Sequence, residues 1–320
     1  MINLAILGLG GWGKRLVATA QENSSTVKFT HAVTRTPAKV ESFAQEQNLA
    51  LSDRMSDALD NPDIDGVVVA GPAQLHGAVA AEALAASKHV MTIKPLSLRR
   101  DEAEALREAA AKKKLVLAMG YDRCFLPAAD ALRAHVTAGD LGDIVHAEGN
   151  FCAARYFDLP ADDWKSTDEN APPGSLADHM LYTMIELMGL VQSLSVQART
   201  HAAKVPISDT AHVSLQFASG ATGGLTAIGI TPQFERLHVF GTKGWAEIRN
   251  SNRLEFKPLT GDSVVTEFPA ANLLLSQLDA FGSAIAGDKP YPVTPEKAVN
   301  GAAVLDAMLR AKNSGEIETV

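Results

Sequence analysis

The chain has 320 residues, 46% of them hydrophobic and 21% charged, enough apolar material for two modest cores and too much length to favour one. A formal net charge of −8 repels phosphate backbones and anionic lipid, which argues against nucleic acid or a membrane surface as a main partner. The two cysteines, Cys124 and Cys152, are too few for a disulfide framework and lack the paired short spacings of a zinc site, so no metal is expected.

No apolar run reaches membrane-spanning length. The opening Met1-Ile2-Asn3-Leu4-Ala5-Ile6-Leu7 carries no basic leader and reads as a first strand, which predicts a cytoplasmic protein. Asn3–Leu7 is that strand, followed by glycines and a helix to about Gln21. Lys28–Thr34 reads as the second strand and Ala38–Gln47 as the next helix. Asp65–Ala70 holds a continuous apolar run, the mark of a strand buried on both faces of a parallel sheet. His76–Ser87 is an alanine-rich helix, His89–Thr92 a short strand, Asp101–Lys113 a charged helix and Leu115–Met119 a closing strand. Strands alternating with helices at this spacing predict βαβ units with right-handed crossovers.

After Gly120 the pattern changes. Pro127–Ala138 reads as a helix and Ile144–Phe151 as a strand, and a polar loop spans Leu159–Pro173. The next helix sets Leu176, Ala177, Met180, Leu181, Met184, Leu187 and Met188 on one apolar stripe. From Ser193 to Phe268, apolar and polar residues alternate between turns such as Ser219-Gly220 and Thr260-Gly261, which predicts a mainly antiparallel sheet. Helices over Asn272–Ala286 and Pro295–Asn313 finish the chain. The fold class is therefore α/β: a doubly wound parallel sheet over 1–120, then a second domain over 121–320 with helices and a mainly antiparallel sheet.

Gly8-Leu9-Gly10-Gly11-Trp12-Gly13 is a G-x-G-x-x-G that follows a strand and opens a helix. Gly8 makes the tight turn, Gly10 removes a Cβ that would block a pyrophosphate, and Gly13 lets helix and strand pack closely. The helix N-terminus offers N–H groups and partial positive charge to the phosphates. This is the fingerprint of a Rossmann dinucleotide site. An acid at the end of the second strand would bind the adenosine ribose hydroxyls; Thr34-Arg35-Thr36 stands there instead. Arg35 can pair with a 2′-phosphate and Thr34 can bond it, which leans the cofactor from NAD towards NADP.

Further motifs lie along the chain: Gly71-Pro72-Ala73-Gln74-Leu75-His76, Ser87-Lys88-His89-Val90-Met91-Thr92-Ile93-Lys94-Pro95, Gly120-Tyr121-Asp122-Arg123-Cys124-Phe125, Gly241-Thr242-Lys243-Gly244 and Val293-Thr294-Pro295-Glu296-Lys297-Ala298. In this order they resemble the glucose–fructose oxidoreductase / inositol dehydrogenase / MocA-type family over nearly the whole chain. The resemblance implies a Rossmann domain followed by an α/β domain whose large open sheet often makes the oligomer contact, with an active site between domains. It also implies a homodimer or homotetramer and a small-molecule substrate. Gly71 and Pro72 then belong to the cofactor site. His76 either lines it or begins its helix. Lys94, at the carboxyl end of a parallel strand, matches the family's catalytic lysine; its charge can steady a developing alkoxide and relay the hydroxyl proton.

Two departures fall near Lys94: Ile93 stands where the family has Glu, and Ala73 where it has Asn. A larger one falls on the helix Pro173-Gly174-Ser175-Leu176-Ala177-Asp178-His179-Met180-Leu181-Tyr182-Thr183-Met184-Ile185. Asp178 matches the family's first acid, Tyr182 takes the place of its histidine, and Ile185 that of its second acid. Helical spacing sets Tyr182 four residues from Asp178 and three from His179. Either Tyr182, beside the lysine, or His179, oriented by Asp178, completes the proton path. Arg123, Tyr156 and Trp164 fall where the family lines its substrate cleft, although Arg123 can equally form a structural salt bridge and Trp164 a loop anchor.

These residues together predict hydride transfer between NAD(P) and a secondary alcohol on a sugar, cyclic polyol or related cyclic diol. The resemblance leaves two alternatives: an enzyme that uses tightly bound NAD(P) transiently for elimination or glycoside cleavage, and a non-catalytic nucleotide-sensing protein.

Overall fold

In the computed structural model, residues 1–167 and 176–320 are described, Trp164 by its backbone alone. The chain divides into two units, Met1–Asp122 with Asn272–Ala302, and Arg123–Ala271 with Ala303–Val320.

The first unit takes its shape from buried apolar strands. In chain order it has β1 (Ile2–Leu7), α1 (Gly11–Asn23), β2 (Val27–Val33), α2 (Glu41–Glu46), β3 (Ala50–Ser52), α3 (Ser56–Leu59), β4 (Gly66–Val69), α4 (His76–Ala85), β5 (His89–Ile93), α5 (Arg100–Lys113) and β6 (Leu117–Gly120). All six strands are parallel, in the order β3-β2-β1-β4-β5-β6. Val67, Val68 and Val69 of β4 are fully buried, each worth roughly 1.5–3 kcal/mol relative to an exposed side chain. The helix expected over Ala38–Gln47 comes in two pieces, a 3-10 turn at Pro37–Lys39 and then α2. Val40 separates them at φ −130°, its side chain turned inward. β3 and α3 escaped the sequence reading because three or four residues carry no periodicity.

The strand order reverses between β1 and β4. The connections leaving these two strands diverge, and the crevice at their carboxyl ends is where an open α/β sheet takes its ligand. Gly8 and Gly71 stand at that point.

The second unit contains α6 (Pro127–Ala138), β7 (Ile144–Cys152), α7 (Asp178–Met188), β8 (Val191–Arg199), β9 (Thr210–Phe217), β10 (Thr222–Ile228), β11 (Phe234–Gly241), β12 (Gly244–Arg249), β13 (Arg253–Pro258), β14 (Val264–Glu267) and the terminal β15 (Glu318–Thr319). They form a nine-stranded sheet, β14-β13-β12-β11-β7-β10-β9-β8-β15. Among the described residues only β10 and β7 pair in parallel in this sheet. α7 packs on β7 closely enough that a Cβ at Gly149 would stand 2.8 Å from the Met180 Cβ. The other face carries a charged and aromatic ladder that includes Glu148, Arg236, His238, Phe240, Trp245 and Glu247.

The last two helices are α8 (Leu273–Ala286) and α9 (Pro295–Ser314). α8 packs on α1, β1 and β2 within the first unit. Its Asp279 accepts hydrogen bonds from the Ser24 and Thr26 hydroxyls. This return of residues 272–302 to the first unit is a discontinuity that the linear division at 120/121 does not carry. Among the described residues no helix is long and apolar enough to cross a membrane.

Candidate active site

The turn after β1 is built for close approach. Gly8 has φ +107°, a conformation L side chains rarely adopt, and a Cβ there would lie 2.7 Å from the Gly71 nitrogen. A Cβ on Gly13 would lie 2.1 Å from the Gly8 carbonyl oxygen, so α1 rests directly on its own entry turn. Gly10 differs: a Cβ there would meet nothing within 4 Å. α1 has no side-chain cap and no acid in its first turn. Lys14 is the first residue whose N–H reaches back into the turn, to the Gly10 carbonyl at 2.9 Å. The N–H groups of Gly11, Trp12 and Gly13 thus have no partner inside the helix. Open space before these donors fits a pyrophosphate.

At the end of β2, Thr34 donates its N–H to the Ser52 carbonyl at 3.0 Å. Arg35 is exposed, and among the described residues no carboxylate pairs with it. No acid occurs from Thr34 to Val40, so no carboxylate of this segment would repel a 2′-phosphate.

β5 delivers Lys94, which is half-buried, and the Lys94-Pro95 peptide is cis. Behind this turn lies His76, fully buried at the start of α4. Its Nδ1 stands 2.7 Å from the Pro95 carbonyl oxygen and its Nε2 3.0 Å from that of Gly71. Burial pushes the imidazole below its ordinary pKa, against the pull of both carbonyls. A neutral ring has one N–H to donate, so the two carbonyls compete for it. Donating to one carbonyl and lying beside the other, His76 links the loop after β4 to the turn after Lys94.

In the second unit, Asp178 opens α7, where a carboxylate complements the helix dipole. Asp178 and Tyr182 lie off the apolar stripe of this helix, yet they are only 1% and 3% exposed. Thr183 and Ile185 are buried too. Of the trio, only His179 keeps a partly exposed side chain. Its ring stacks on Phe151 at 3.9 Å between centroids. The guanidinium groups of Arg123 and Arg155 lie 5.8 and 5.9 Å from the same Phe151 ring.

Arg123 is committed within its own unit. It donates to Glu235 at 3.0 Å and to the Ser251 hydroxyl at 3.2 Å. Glu235 also accepts from Ser251 and Gln233. Burial alone would raise its carboxyl, but the Arg123 charge and these donors outweigh that and hold it below the usual range. Arg155 is exposed and has no carboxylate partner among the described residues. Tyr156 is buried with its ring on Gly229, where a Cβ would fall 2.0 Å from a ring carbon. The Trp164 side chain and the Pro173-Gly174-Ser175 segment lie outside the described residues. Sequence reasoning missed Phe151, Arg155 and Glu235. Phe151 ends a strand as any core aromatic does, and only a contact between segments 112 residues apart sets Glu235 on β11 against Arg123.

Residues 2–121 match a family model described as an oxidoreductase family with an NAD-binding Rossmann fold, and residues 130–247 match the Gfo/Idh/MocA C-terminal domain. The chain belongs to the Gfo/Idh/MocA oxidoreductase family. It is 25% identical to scyllo-inositol 2-dehydrogenase (NAD(+)) of Bacillus subtilis over 264 residues, covering 76% of this chain and 72% of that one. It is 27% identical to mouse trans-1,2-dihydrobenzene-1,2-diol dehydrogenase over 237 residues, 69% of each chain. Its fold is similar to that of levoglucosan dehydrogenase in complex with NADH and levoglucosan, with a TM-score of 0.89, 18% identity, and coverage of 100% of this chain and 99% of that one. Membership in the Gfo/Idh/MocA family makes this an NAD-binding oxidoreductase fold with dehydrogenase relatives.

Proposed function

We propose that the protein interconverts a secondary alcohol and a ketone on a sugar, cyclic polyol or related cyclic diol, using NAD(P), with a lean to NADP. One observation carries this reading. An uncapped helix N-terminus with open space at Gly10 stands at the strand-order reversal, and the same unit presents Lys94 at the end of β5. The polyol and diol dehydrogenases among its relatives support the substrate class.

The nicotinamide ring, when bound, supplies hydride exchange. The rest falls to this chain's residues. Gly8, Gly10, Gly11, Trp12 and Gly13 hold the pyrophosphate through backbone N–H groups. Thr34 and Arg35 take the adenosine ribose end, where a guanidinium favours a 2′-phosphate. Gly71 and Pro72 wall the crevice. The Lys94 ammonium steadies negative charge growing on the substrate oxygen and moves its proton. Asp178, with His179 or Tyr182, completes the proton path, and partial exposure favours His179. Arg123 supports this site through Glu235, and Tyr156 and Trp164 shape its rim. We also assign the uncovered face of the nine-stranded sheet to contact with a second copy, in a homodimer or homotetramer.

The test is a spectrophotometric screen with NADP+ and NAD+ against inositols, sugars and cyclic diols, with Lys94→Ala as control. Turnover lost by about 10²-fold or more in the variant supports the reading. No absorbance change with any pair, and no binding of either nucleotide, sinks it.

A further inference from the structure

We propose that Gln277 is the polar contact for the nicotinamide half of the dinucleotide. The inference rests on the reading that the first unit binds NAD(P). Gln277 lies on α8, the helix that returns to this unit from 150 residues further along the chain than Gly120 or more. Its neighbours on the buried face are Leu274, Leu278, Phe281 and Gly282. In that stripe an amide is out of place. It is 3% exposed, and its Oε1 has no hydrogen-bond partner among the described residues. A buried amide oxygen left unpaired costs stability that a leucine or methionine would not, so its presence calls for a ligand.

Its position says which ligand. A Cβ built on Gly120 would lie 3.0 Å from Oε1, 3.2 Å from the Thr92 carbonyl oxygen and 3.5 Å from the Ile93 Cα. The amide therefore sits against the carboxyl ends of β5 and β6, one residue before Lys94. Gly120 and Ile93 are register partners, so their Cα–Cβ directions leave the same face of the sheet. On that face Gly120 has no side chain and Ile93 has no polar atom. The amide of Gln277 is the polar group the two strand ends lack.

The strand order completes the argument. A dinucleotide gripped at the β1/β4 reversal has its adenosine half on the β2 side, where Arg35 stands, and its other half over β4, β5 and β6. That half carries a carboxamide and ribose hydroxyls, each able to donate to Oε1. Gly120, without a Cβ, leaves a gap between the two strand ends and this enclosed oxygen, so the nucleotide must reach Oε1 by a small movement of the Gln277 side chain towards the crevice.

Nucleotide titration of the purified full chain tests this, using NADPH, NADH and two probes without the nicotinamide half, 2′,5′-ADP and ADP. Gln277→Met, close in shape and without polar atoms, is expected to weaken dinucleotide binding by about tenfold, while the truncated probes change by less than about twofold. Its melting temperature should equal or exceed that of the wild type. Gly120→Ala, which crowds the amide, should give the same split if Gln277→Met fails to fold. Unchanged dinucleotide affinity in both variants overturns the proposal, and so does an equal loss for whole and truncated probes. Failure of the wild type to bind any of the four nucleotides would instead overturn the cofactor reading beneath it.

Discussion

The imidazole of His179 lies flat on the ring of Phe151, with centroids 3.9 Å and planes 7° apart. Stacking fixes the plane of the histidine without using either ring nitrogen. His179→Phe should therefore keep the packing and remove only the nitrogens. Activity is expected to fall by about 10²-fold or more. Tyr182→Phe should leave kcat within about fivefold, the equivalent of roughly 1 kcal/mol for a single buried hydroxyl. The reverse ranking in steady-state assays would hand the proton path to Tyr182.

Gly10 and Gly13 separate binding from folding. A Cβ on Gly10 meets no protein atom within 4 Å, whereas one on Gly13 lands 2.1 Å from a backbone oxygen. Gly10→Ala is expected to keep the melting temperature and weaken dinucleotide binding by about tenfold or more. Gly13→Ala should be unstable with or without nucleotide. Thermal shift with and without NADPH reads both. Full affinity in Gly10→Ala would mean the open space is not a phosphate site.

What the sequence made legible was what repeats locally. Strand-helix alternation and the glycine loop located the first sheet and its crevice, since hydrophobic period and backbone room are written residue by residue. The placement of α8 was not legible, because its partners, α1 and the start of β2, lie some 250 residues earlier in the chain. The enclosure of α7 on its other side was not legible for a related reason. An amphipathic pattern identifies one face that must be buried, yet it does not require the opposite face to be wet, and Asp178 and Tyr182 are both enclosed. His76 and Arg123 each carry two readings in the sequence, and their partners, the Pro95 carbonyl and Glu235, come from distant segments that no local pattern announces.

Arg35 offers a test of cofactor choice. Arg35→Ser removes an exposed cation that has no carboxylate partner among the described residues. Affinity for NADPH is expected to drop by about 10- to 100-fold, the worth of a charge-assisted phosphate contact, with NADH changed by less than about threefold. Fluorescence titration of both nucleotides decides it. Equal changes for the two would remove the 2′-phosphate from Arg35.

His76 predicts an acid-side loss of stability. Its folded pKa lies below the ordinary value of 6.5, so between the two values the unfolded chain binds a proton that the folded chain refuses. Its contribution is complete above about 6.5 and is lost as pH falls through the folded value. Melting temperature should fall between about pH 7 and 5 more steeply in the wild type than in His76→Gln, which keeps a donor but does not titrate there. Parallel curves would show that His76 keeps its ordinary pKa.

Arg123 and Glu235 form an ion pair at 3.0 Å with side chains only 11% and 9% exposed. Removing one partner of such a pair strands a buried charge, so Arg123→Met should cost about 3–5 kcal/mol of stability. Replacing both, as Arg123→Met with Glu235→Leu, should recover much of that loss, because no charge is left to solvate. Arg155 supplies the contrast. It shares the Phe151 ring but is exposed and has no carboxylate partner among the described residues. Arg155→Ala should therefore leave the melting temperature unchanged and act, if at all, on KM. Denaturation curves and KM values for the four proteins separate a structural cation from a substrate-facing one. A stable Arg123→Met protein with a raised KM would move Arg123 back into the substrate site.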